Sequence, residues 1–269
     1  MSYSMSRRQF VGIASGTLAA TGLALAGCGS SQSSSSSDSS SGFSKSSYTV
    51  ATDTTFAPFE FTDASGNFVG IDVDILAKAA ELTGFRYELN SLGFDAAVAA
   101  LESNQADAVI AGMSITDARK QKYDFSDPYY DSYVCMAVKS GSSISGYEDL
   151  NGKTVAAKTG TMGATCAESL APKYGFTLTY FGDSSIMYQD VLTGNSVACF
   201  EDYPVMSYGI TQGNGLQIVT EEKDDYSTPY GFAVMKGKNS DLLSAFNEGL
   251  SKMKDSGDYD AIVNKYLKG

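Results

Sequence analysis

From residue 48 onward, the sequence runs twice through the same order of segments, and this repeated order is the strongest constraint on its fold. In each pass, short apolar segments typical of strands alternate with longer segments whose apolar residues recur at helical spacing. The first pass predicts strand 48–52, helix 72–83, strand 86–89, helix 94–104 and strand 108–111. The second predicts strand 154–157, a helix near 164–173, strand 177–181, a helix near 186–192 and strand 197–200. Two βαβαβ units predict an α/β protein with two parallel-sheet lobes.

The C-terminal part of the chain has two more amphipathic helical segments but no strands for them to cover. Their apolar faces carry Leu243, Phe246, Leu250 and Met253 in one, and Tyr259, Ile262, Val263 and Tyr266 in the other. We therefore expect both helices to fold back onto a lobe that is already built. The sequence predicts a first lobe over residues 48–131, a second lobe over 132–228 and a return to the first over 229–269.

The N-terminal segment has the pattern of an export signal. Arg7 and Arg8 precede an uncharged run rich in glycine and alanine, residues 11–26, which is short for a membrane span. With Phe10 they resemble a twin-arginine signal, although an ordinary secretory signal also begins with positive charge. Residues 1–27 are therefore predicted to be a signal peptide that directs the protein out of the cytoplasm.

The end of this segment resembles a bacterial lipoprotein cleavage site. The sequence Leu-Ala-Gly-Cys ends at Cys28, which would become the lipidated first residue of the mature chain. Residues 29–47 are mostly serine, and such a segment has too few apolar side chains to offset the entropy lost on ordering. The sequence thus predicts a lipidated cysteine and flexible linker over residues 28–47, with the mature protein anchored at the outer face of the cell membrane.

The charge and the missing residue types argue against several functions. The chain has 31 acidic and 19 basic residues, a formal net charge of −12, and no histidine. This acidity is unsuited to a phosphate backbone, so nucleic acid is not an expected partner. Without histidine there is no imidazole ligand and no Ser-His-Asp or Cys-His relay, and we predict no metal, cofactor or catalytic residue. Cys135, Cys166 and Cys199 all fall in the second unit, and their spacing leaves disulfide pairing open.

Polar and aromatic residues follow the predicted strands at their carboxyl ends, where open parallel sheets collect ligands. They are Asp53, Phe56 and Phe59, then Gly112, Ser114 and Arg119, then Lys158, Gly160, Thr161 and Met162, and finally Glu201 and Asp202. The set combines an arginine and hydroxyls, which suit an anion, with carboxylates, which suit a cation. It is therefore complementary to a zwitterion.

A series of sequence motifs follows in order between residues 52 and 204. They are Thr52-Asp53-x-x-Phe56-x-Pro58-Phe59, Gly66-x-x-x-Gly70-x-Asp72-x-Asp74, Gly112-Met113-Ser114-Ile115-Thr116-x-x-Arg119, Phe125-Ser126-x-Pro128-Tyr129, Gly152-Lys153-x-Val155-x-x-x-x-Gly160-Thr161 and Glu201-Asp202-Tyr203-Pro204. Together they resemble the polar amino-acid solute-binding proteins, family 3, of ABC importers, and the resemblance covers the chain after residue 47. It implies a type II periplasmic-binding-protein fold, in which two α/β lobes close on a ligand about a two-segment hinge, near residues 130–134 and 229–232.

The resemblance also implies roles for individual residues. Arg119 would hold the α-carboxylate of the ligand through its guanidinium, with help from Ser114 and the backbone of Gly112. Asp202 would bind the α-ammonium group.

Other matching positions complete the site. Phe56 and Phe94 would enclose the ligand side chain between two rings. Thr161 lies at a helix start, where the backbone N–H groups favour an anion. Met162 departs from the small or hydroxyl residue often seen in the family, which affects a contact from the second lobe.

The charges expected near the ligand side chain leave the choice of amino acid open. Asp53, Lys158 and Glu201 match family positions that face this side chain. If Lys158 neutralises one acid, the pocket prefers a neutral amide such as glutamine. If Lys158 points away, the two carboxylates prefer arginine, lysine or ornithine. We favour the neutral ligand.

The function implied by the resemblance is capture without catalysis. A monomer outside the cytoplasm would bind a free amino acid by hinge closure and deliver it to the permease subunits of an ABC importer. A ligand-sensing accessory protein and a dehydratase on the same fold are the alternatives, but no histidine or nucleophile supports catalysis.

Overall fold

The computed structural model of this protein describes residues 42–267. The predicted signal peptide, the predicted lipidation site Cys28 and most of the predicted linker lie outside the described residues. Between residues 42 and 267, the structure contains no helix with the length and apolar character that crossing a bilayer requires.

Strands and helices alternate through most of the described chain. In chain order, the strands are β1 (Tyr48–Thr52), β2 (Phe61–Thr62), β3 (Phe68–Val69), β4 (Tyr87–Ser91), β5 (Ala108–Val109), β6 (Tyr123–Phe125), β7 (Tyr130–Lys139), β8 (Thr154–Lys158), β9 (Thr177–Phe181), β10 (Ala198–Asp202), β11 (Leu216–Tyr230) and β12 (Ala233–Met235). The α-helices are α1 (Ile71–Thr83), α2 (Phe94–Glu102), α3 (Asp117–Lys120), α4 (Met162–Tyr174), α5 (Ser184–Thr193), α6 (Tyr203–Thr211), α7 (Ser240–Ser256) and α8 (Asp258–Leu267).

The first sheet has the strand order β4-β1-β5-β12-β6. Strands β4 and β5 run parallel to β1 on its two sides, whereas β12 runs antiparallel to both β5 and β6. Because β5 runs parallel to β1, the carboxyl ends of these two strands lie side by side at one edge of this sheet. Helix α1, which follows β3, ends at Gly84, where a φ of 85° turns the N–H back to the Ala80 carbonyl.

The second sheet has the strand order β11-β7-β10-β8-β9. Strands β9 and β10 run parallel to β8, whereas β7 runs antiparallel to both β10 and β11. Two of its helices begin at side-chain caps: Thr161 accepts a hydrogen bond from Ala164 N–H at 3.2 Å, and Asp183 accepts one from Ile186 N–H at 3.0 Å. These caps fix the helix N-termini beside the carboxyl ends of β8 and β9.

Both sheets are mixed, which corrects the prediction of parallel-sheet lobes. The predicted strands do pair in parallel, but β6, β7, β11 and β12 were not predicted and add antiparallel pairs. Strand β6 leads into β7, and β11 leads into β12, through a few residues without an intervening helix. A pattern of alternating strands and helices does not detect such connections. Strands β7 and β11 form the two crossings between the sheets. They pair in antiparallel register, from Leu216 with Lys139 to Tyr230 with Tyr130.

The C-terminal helices pack beside the first sheet. Helix α7 lies against α1, and α8 lies against both of them. The two helices α1 and α7 approach closely at Gly249, where an added Cβ would lie 2.7 Å from the Ala79 Cα. Phe246 of α7 stacks on Phe232, with 4.3 Å between ring centroids. The apolar face of α7 is thereby buried.

The core of the second lobe contains free thiols. Cys135, Cys166 and Cys199 are buried and unpaired within residues 42–267. Burial raises the pKa of each thiol. The three side chains therefore remain protonated at neutral pH and pack as small apolar groups.

Candidate ligand-binding site

A cavity lies between the two sheets, at the carboxyl ends of β1, β5, β8 and β10. It is lined by Asp53, Phe56, Phe94, Ala111, Gly112, Ser114, Arg119, Lys158, Thr161, Met162 and Asp202. All of these except Ala111 are predicted site residues, and Glu201 is the one predicted site residue that does not line the cavity. The predicted residues therefore meet at one cavity, because the strand ends of both sheets point into the cleft.

A larger open groove lies along β7, α6 and the end of α8. Its lining is rich in tyrosine, and Asp131 is its only charged residue among those described. The smaller cavity instead contains an arginine, a lysine and two aspartates. Within residues 42–267, no cluster of side chains is suited to hold a metal ion. We therefore take the smaller cavity as the candidate site.

Arg119 is held by backbone acceptors from both lobes. It lies in α3, where Thr116 Oγ1 accepts from its backbone N–H at 3.2 Å. Its guanidinium donates to the Ser114 carbonyl at 2.9 Å and, across the cleft, to the Gly160 carbonyl at 2.9 Å. Burial lowers the pKa of Arg119, but the group stays charged at neutral pH. Since a guanidinium has about five N–H donors, several remain for an anion in the cavity.

Asp202 supplies a buried carboxylate at the end of β10. It is 6% exposed, and the Tyr230 hydroxyl donates to its Oδ2. Burial raises the pKa of Asp202 to about 7, and the adjacent Glu201 carboxylate adds to this, whereas Tyr230 and Arg119 oppose it. A cation bound beside Asp202 would favour the ionised carboxylate.

Asp53 and Lys158 form a buried ion pair in the wall of the cavity. Lys158 Nζ donates to Asp53 Oδ2 and, at 3.2 Å, to Ser184 Oγ. Both charged side chains are only 1% exposed. Burial lowers the pKa of Lys158, but the Asp53 and Glu201 carboxylates more than offset this, so its pKa is raised. The lysine is therefore a charged, fixed donor.

Glu201 lies behind this ion pair. Tyr188 Oη donates to Glu201 Oε2 at 2.8 Å, and Ser184 Oγ donates to the same oxygen at 3.0 Å. Neighbouring residues on a strand point to opposite faces, so Glu201 and Asp202 cannot both enter the cavity from β10. The prediction that Glu201 faces the ligand is thus corrected: its charge acts on the site through Lys158. Ser184 and Tyr188 had no role in the sequence analysis, because their functions depend on tertiary contacts.

The remaining walls come from two helix starts and a loop. Thr161 caps α4 and also donates from Oγ1 to the Lys158 carbonyl at 2.8 Å. Met162, which follows it, contributes an apolar side chain to the wall. Phe56 lies beneath Lys158, with Nζ 5.3 Å from the ring centroid, and Phe94 lies beneath Arg119, with Cζ 5.4 Å from its centroid. The two rings therefore lie under the two cations of the site.

The backbone of Gly112 has a different partner from the one predicted. Its N–H donates to Asp72 Oδ2 at 2.8 Å, so this amide is not available to a ligand carboxylate. Its φ is +50°, and an added Cβ would lie 2.4 Å from Phe56 Cε1. Glycine is thus required for close contact between this loop and the Phe56 ring. Asp72 belongs to the Gly-x-Asp-x-Asp motif, but a position at a helix start does not by itself predict a contact with the site.

Contacts around the cavity join the two lobes. Arg119 reaches Gly160, Lys158 reaches Asp53, and Thr55 Oγ1 donates to Asp183 Oδ2 at 2.9 Å. Each of these contacts connects a residue beside the first sheet with one beside the second. The structure is therefore a closed arrangement of the lobes.

The structure has two mixed α/β lobes, which are connected by two crossings and closed over a cavity with a guanidinium and a carboxylate. This arrangement defines a two-lobed binding protein with the type II periplasmic-binding fold. The chain belongs to the bacterial extracellular solute-binding proteins, family 3, whose family model matches residues 48–269.

Known relatives agree with this assignment. The chain is 31% identical to a probable histidine-binding protein of Neisseria gonorrhoeae, over 93% of both chains. It is also 31% identical to the arginine-binding extracellular protein ArtP of Bacillus subtilis, over 91% of this chain and 93% of that protein. Among solved structures, an ancestral arginine-binding protein bound to glutamine matches with a TM-score of 0.76 and 37% identity, over 84% of this chain and 99% of that chain.

Proposed function

We propose that this protein binds a free polar amino acid, glutamine or a similar neutral side chain, between its two lobes. The observation that carries the proposal is that one cavity contains Arg119, Asp202 and an ion pair of Asp53 with Lys158. The first two residues would hold the α-carboxylate and the α-ammonium group, as the family resemblance implies. Arg119 also closes the cleft through Gly160, which favours a free carboxylate over a peptide bond continuing past it.

The paired state of Lys158 supports a neutral ligand side chain. Its Nζ donates to Asp53 and Ser184, which leaves one of its three N–H donors for a ligand oxygen. Asp53 Oδ1 accepts from the Thr54 N–H at 2.6 Å, and its carboxylate retains lone pairs for a ligand donor. A carboxamide offers both a carbonyl oxygen and an NH₂ group, so it can satisfy both partners without adding charge.

A basic amino acid is the second candidate. Asp53 and Glu201 together carry more negative charge than Lys158 neutralises, and a cationic side chain would offset the difference. The relative in Bacillus subtilis is named as an arginine-binding protein, whereas the ancestral arginine-binding structure contains glutamine. Both ligand classes are therefore compatible with a site of this family.

We further propose that the protein acts outside the cytoplasm, anchored by a lipid on Cys28, as a monomer without enzymatic activity. Closure about the crossings β7 and β11 would present the loaded form to the permease subunits of an ABC importer. The family to which the chain belongs and the export pattern of residues 1–27 support this placement.

Thermal unfolding with each of the twenty amino acids tests the proposed function. The sample is residues 28–269 with Cys28→Ser, purified under denaturing conditions to remove bound ligand and then refolded. A ligand that binds only the folded state stabilises it by about 4 kcal/mol at a thousandfold excess over its Kd. We expect glutamine to give the largest shift. A larger shift with arginine or lysine would select the second candidate, and no shift with any amino acid would contradict amino-acid binding.

The affinity for an amino acid is expected to depend on pH through Asp202. The α-ammonium group requires the ionised carboxylate, whose pKa burial raises to about 7 in the absence of ligand. Kd should therefore rise below that pH, approaching about tenfold per pH unit. Calorimetric titration between about pH 5 and pH 8 measures this slope. Asp202→Asn should bind weakly at every pH, and a slope unchanged in this variant would contradict the assignment.

A further inference from the structure

Two acidic side chains lie next to each other behind the cavity wall. Glu60 follows the loop that carries Phe56, and Asp72 lies in the first turn of α1. Both residues are 0% exposed, and they are neighbours in space, because the Asp72 N–H donates at 2.9 Å to the carbonyl of Phe59, which precedes Glu60. Neither residue lines the cavity.

Most of the oxygens of these two carboxyl groups have no donor. Glu60 Oε1, Glu60 Oε2 and Asp72 Oδ1 are buried without a hydrogen-bond partner among the described residues. Asp72 Oδ2 is different, because it accepts from the Gly112 N–H and from the Tyr129 hydroxyl, each at 2.8 Å. Buried acceptors in this number call for an additional donor, since each one left unpaired destabilises the folded state.

The surrounding charges do not supply that donor. Asp53 and Lys158 face Glu60, but no N–H of Lys158 lies within hydrogen-bonding distance of a Glu60 carboxyl oxygen. The phenols of Tyr129 and Tyr259 lie near Asp72, and the Tyr259 hydroxyl donates to the Tyr129 carbonyl. Two adjacent ionised carboxylates would therefore repel each other in a medium of low dielectric.

We propose that Glu60 and Asp72 share one proton at neutral pH, and that this acid–carboxylate pair is a positioning element of the binding site. In this arrangement the Glu60 carboxyl donates its proton to Asp72 Oδ1, which satisfies two of the unpaired oxygens with a single hydrogen. Asp72 keeps its negative charge on the side that accepts from Gly112 and Tyr129.

The pair connects three segments that form the site. The Glu60 carbonyl accepts from the Phe56 N–H at 2.8 Å, so Glu60 belongs to the turn that presents the Phe56 ring. Gly112 contacts this ring directly, and Asp72 fixes the Gly112 amide. Tyr129 precedes the first crossing, and its N–H donates to the Tyr230 carbonyl at 3.0 Å. A single proton therefore stabilises the positions of Phe56, Gly112 and the start of the hinge relative to one another.

The sign of the pH effect follows from burial. Burial raises the pKa of Glu60 well above its usual range, and Asp72 adds to this, while burial raises the pKa of Asp72 to about 6. The pair as a whole then holds one proton from about pH 6 upward and releases it in alkaline solution. Because the folded state binds more protons than the unfolded chain in this window, stability falls as pH rises through it. This loss of stability occurs in alkaline solution, whereas the protonation of Asp202 weakens ligand binding below about pH 7.

Infrared spectroscopy of Glu60→Gln tests the shared proton directly. At pH 7 the wild-type exported protein should show the C=O stretch of a protonated carboxylic acid from this pair, and Glu60→Gln should lack that band. Asp72→Asn should keep a protonated-acid band at a shifted frequency, because burial alone raises the pKa of Glu60, whose proton would then be donated to a different acceptor. Glu81→Gln, on the exposed side of α1, is the control and should leave the band unchanged. A band that persists in Glu60→Gln, or that Asp72→Asn leaves at an unchanged frequency, would overturn the proposal.

The positioning role is tested by pH profiles of unfolding and of ligand affinity. Between about pH 7 and pH 9, the wild-type unfolding midpoint and amino-acid affinity should fall, whereas both should be flatter in Glu60→Gln, since the amide donates to Asp72 at every pH. If the affinity of Glu60→Gln for the amino acid falls as steeply with pH as that of the wild type, the positioning role is overturned. This second test rests on the proposed function: if no amino acid binds either protein while the infrared band behaves as expected, amino-acid binding fails and the shared proton stands.

Discussion

Arg119→Ala is expected to weaken amino-acid binding by about 3 kcal/mol, or roughly two orders of magnitude in Kd. The guanidinium is held in place within its own lobe, because it donates to the Ser114 carbonyl at 2.9 Å. Its removal leaves the ligand α-carboxylate without its charged partner in a cavity of low dielectric. It also removes the contact to Gly160, which joins the two lobes in the closed arrangement.

The control for this variant is Lys120→Ala on the same short helix. Lys120 is exposed and its Nζ lies 3.4 Å from Asp117, so the substitution removes the same charge without touching the cavity. Calorimetric titration of both variants with glutamine and arginine measures the difference. Lys120→Ala should bind like the wild type. An Arg119→Ala protein with unchanged affinity for every amino acid would remove the α-carboxylate contact from the proposed mechanism.

The location of the site could be predicted from the sequence because it depends on strand ends. Arg119, Lys158 and Asp202 each follow a short apolar segment, and the carboxyl ends of such strands meet at one edge of a sheet. Helix α1 was predicted within one residue, because Gly84 ends its apolar periodicity. These features are local, and local sequence determines them.

The orientation of individual groups could not be predicted in the same way. Glu201 and Asp202 are adjacent in sequence, and only the register of β10 against β7 decides which one enters the cavity. The Gly112 amide is turned away from the cavity by Asp72, a residue 40 positions earlier in the chain. The direction of Lys158 likewise depends on Asp53, in the other lobe. Each outcome follows from a long-range contact, which spacing along the chain does not contain.

Lys158→Met is expected to reverse the ligand preference from glutamine to arginine. The substitution removes the positive charge that Asp53 and Glu201 share, so the cavity wall gains a net negative charge. Breaking a buried ion pair by removing one partner costs about 3–5 kcal/mol, and a cationic ligand side chain can recover part of it. We therefore expect the variant without ligand to unfold at a lower temperature. We expect arginine to stabilise it more than glutamine does, with a change of roughly a hundredfold in the ratio of the two Kd values.

The double variant Asp53→Asn/Lys158→Met separates the charge effect from the loss of the lysine side chain. It removes both partners of the ion pair, so the cavity wall returns to the net charge of the wild type while Nζ is still absent. If charge balance decides ligand choice, the double variant should lose the arginine preference and recover thermal stability relative to Lys158→Met. If the two variants show the same preference, the lysine contributes through its hydrogen bonds to the ligand and Asp53 does not set the selectivity. If Lys158→Met still prefers glutamine, the ion pair lies outside the part of the cavity that contacts the ligand side chain.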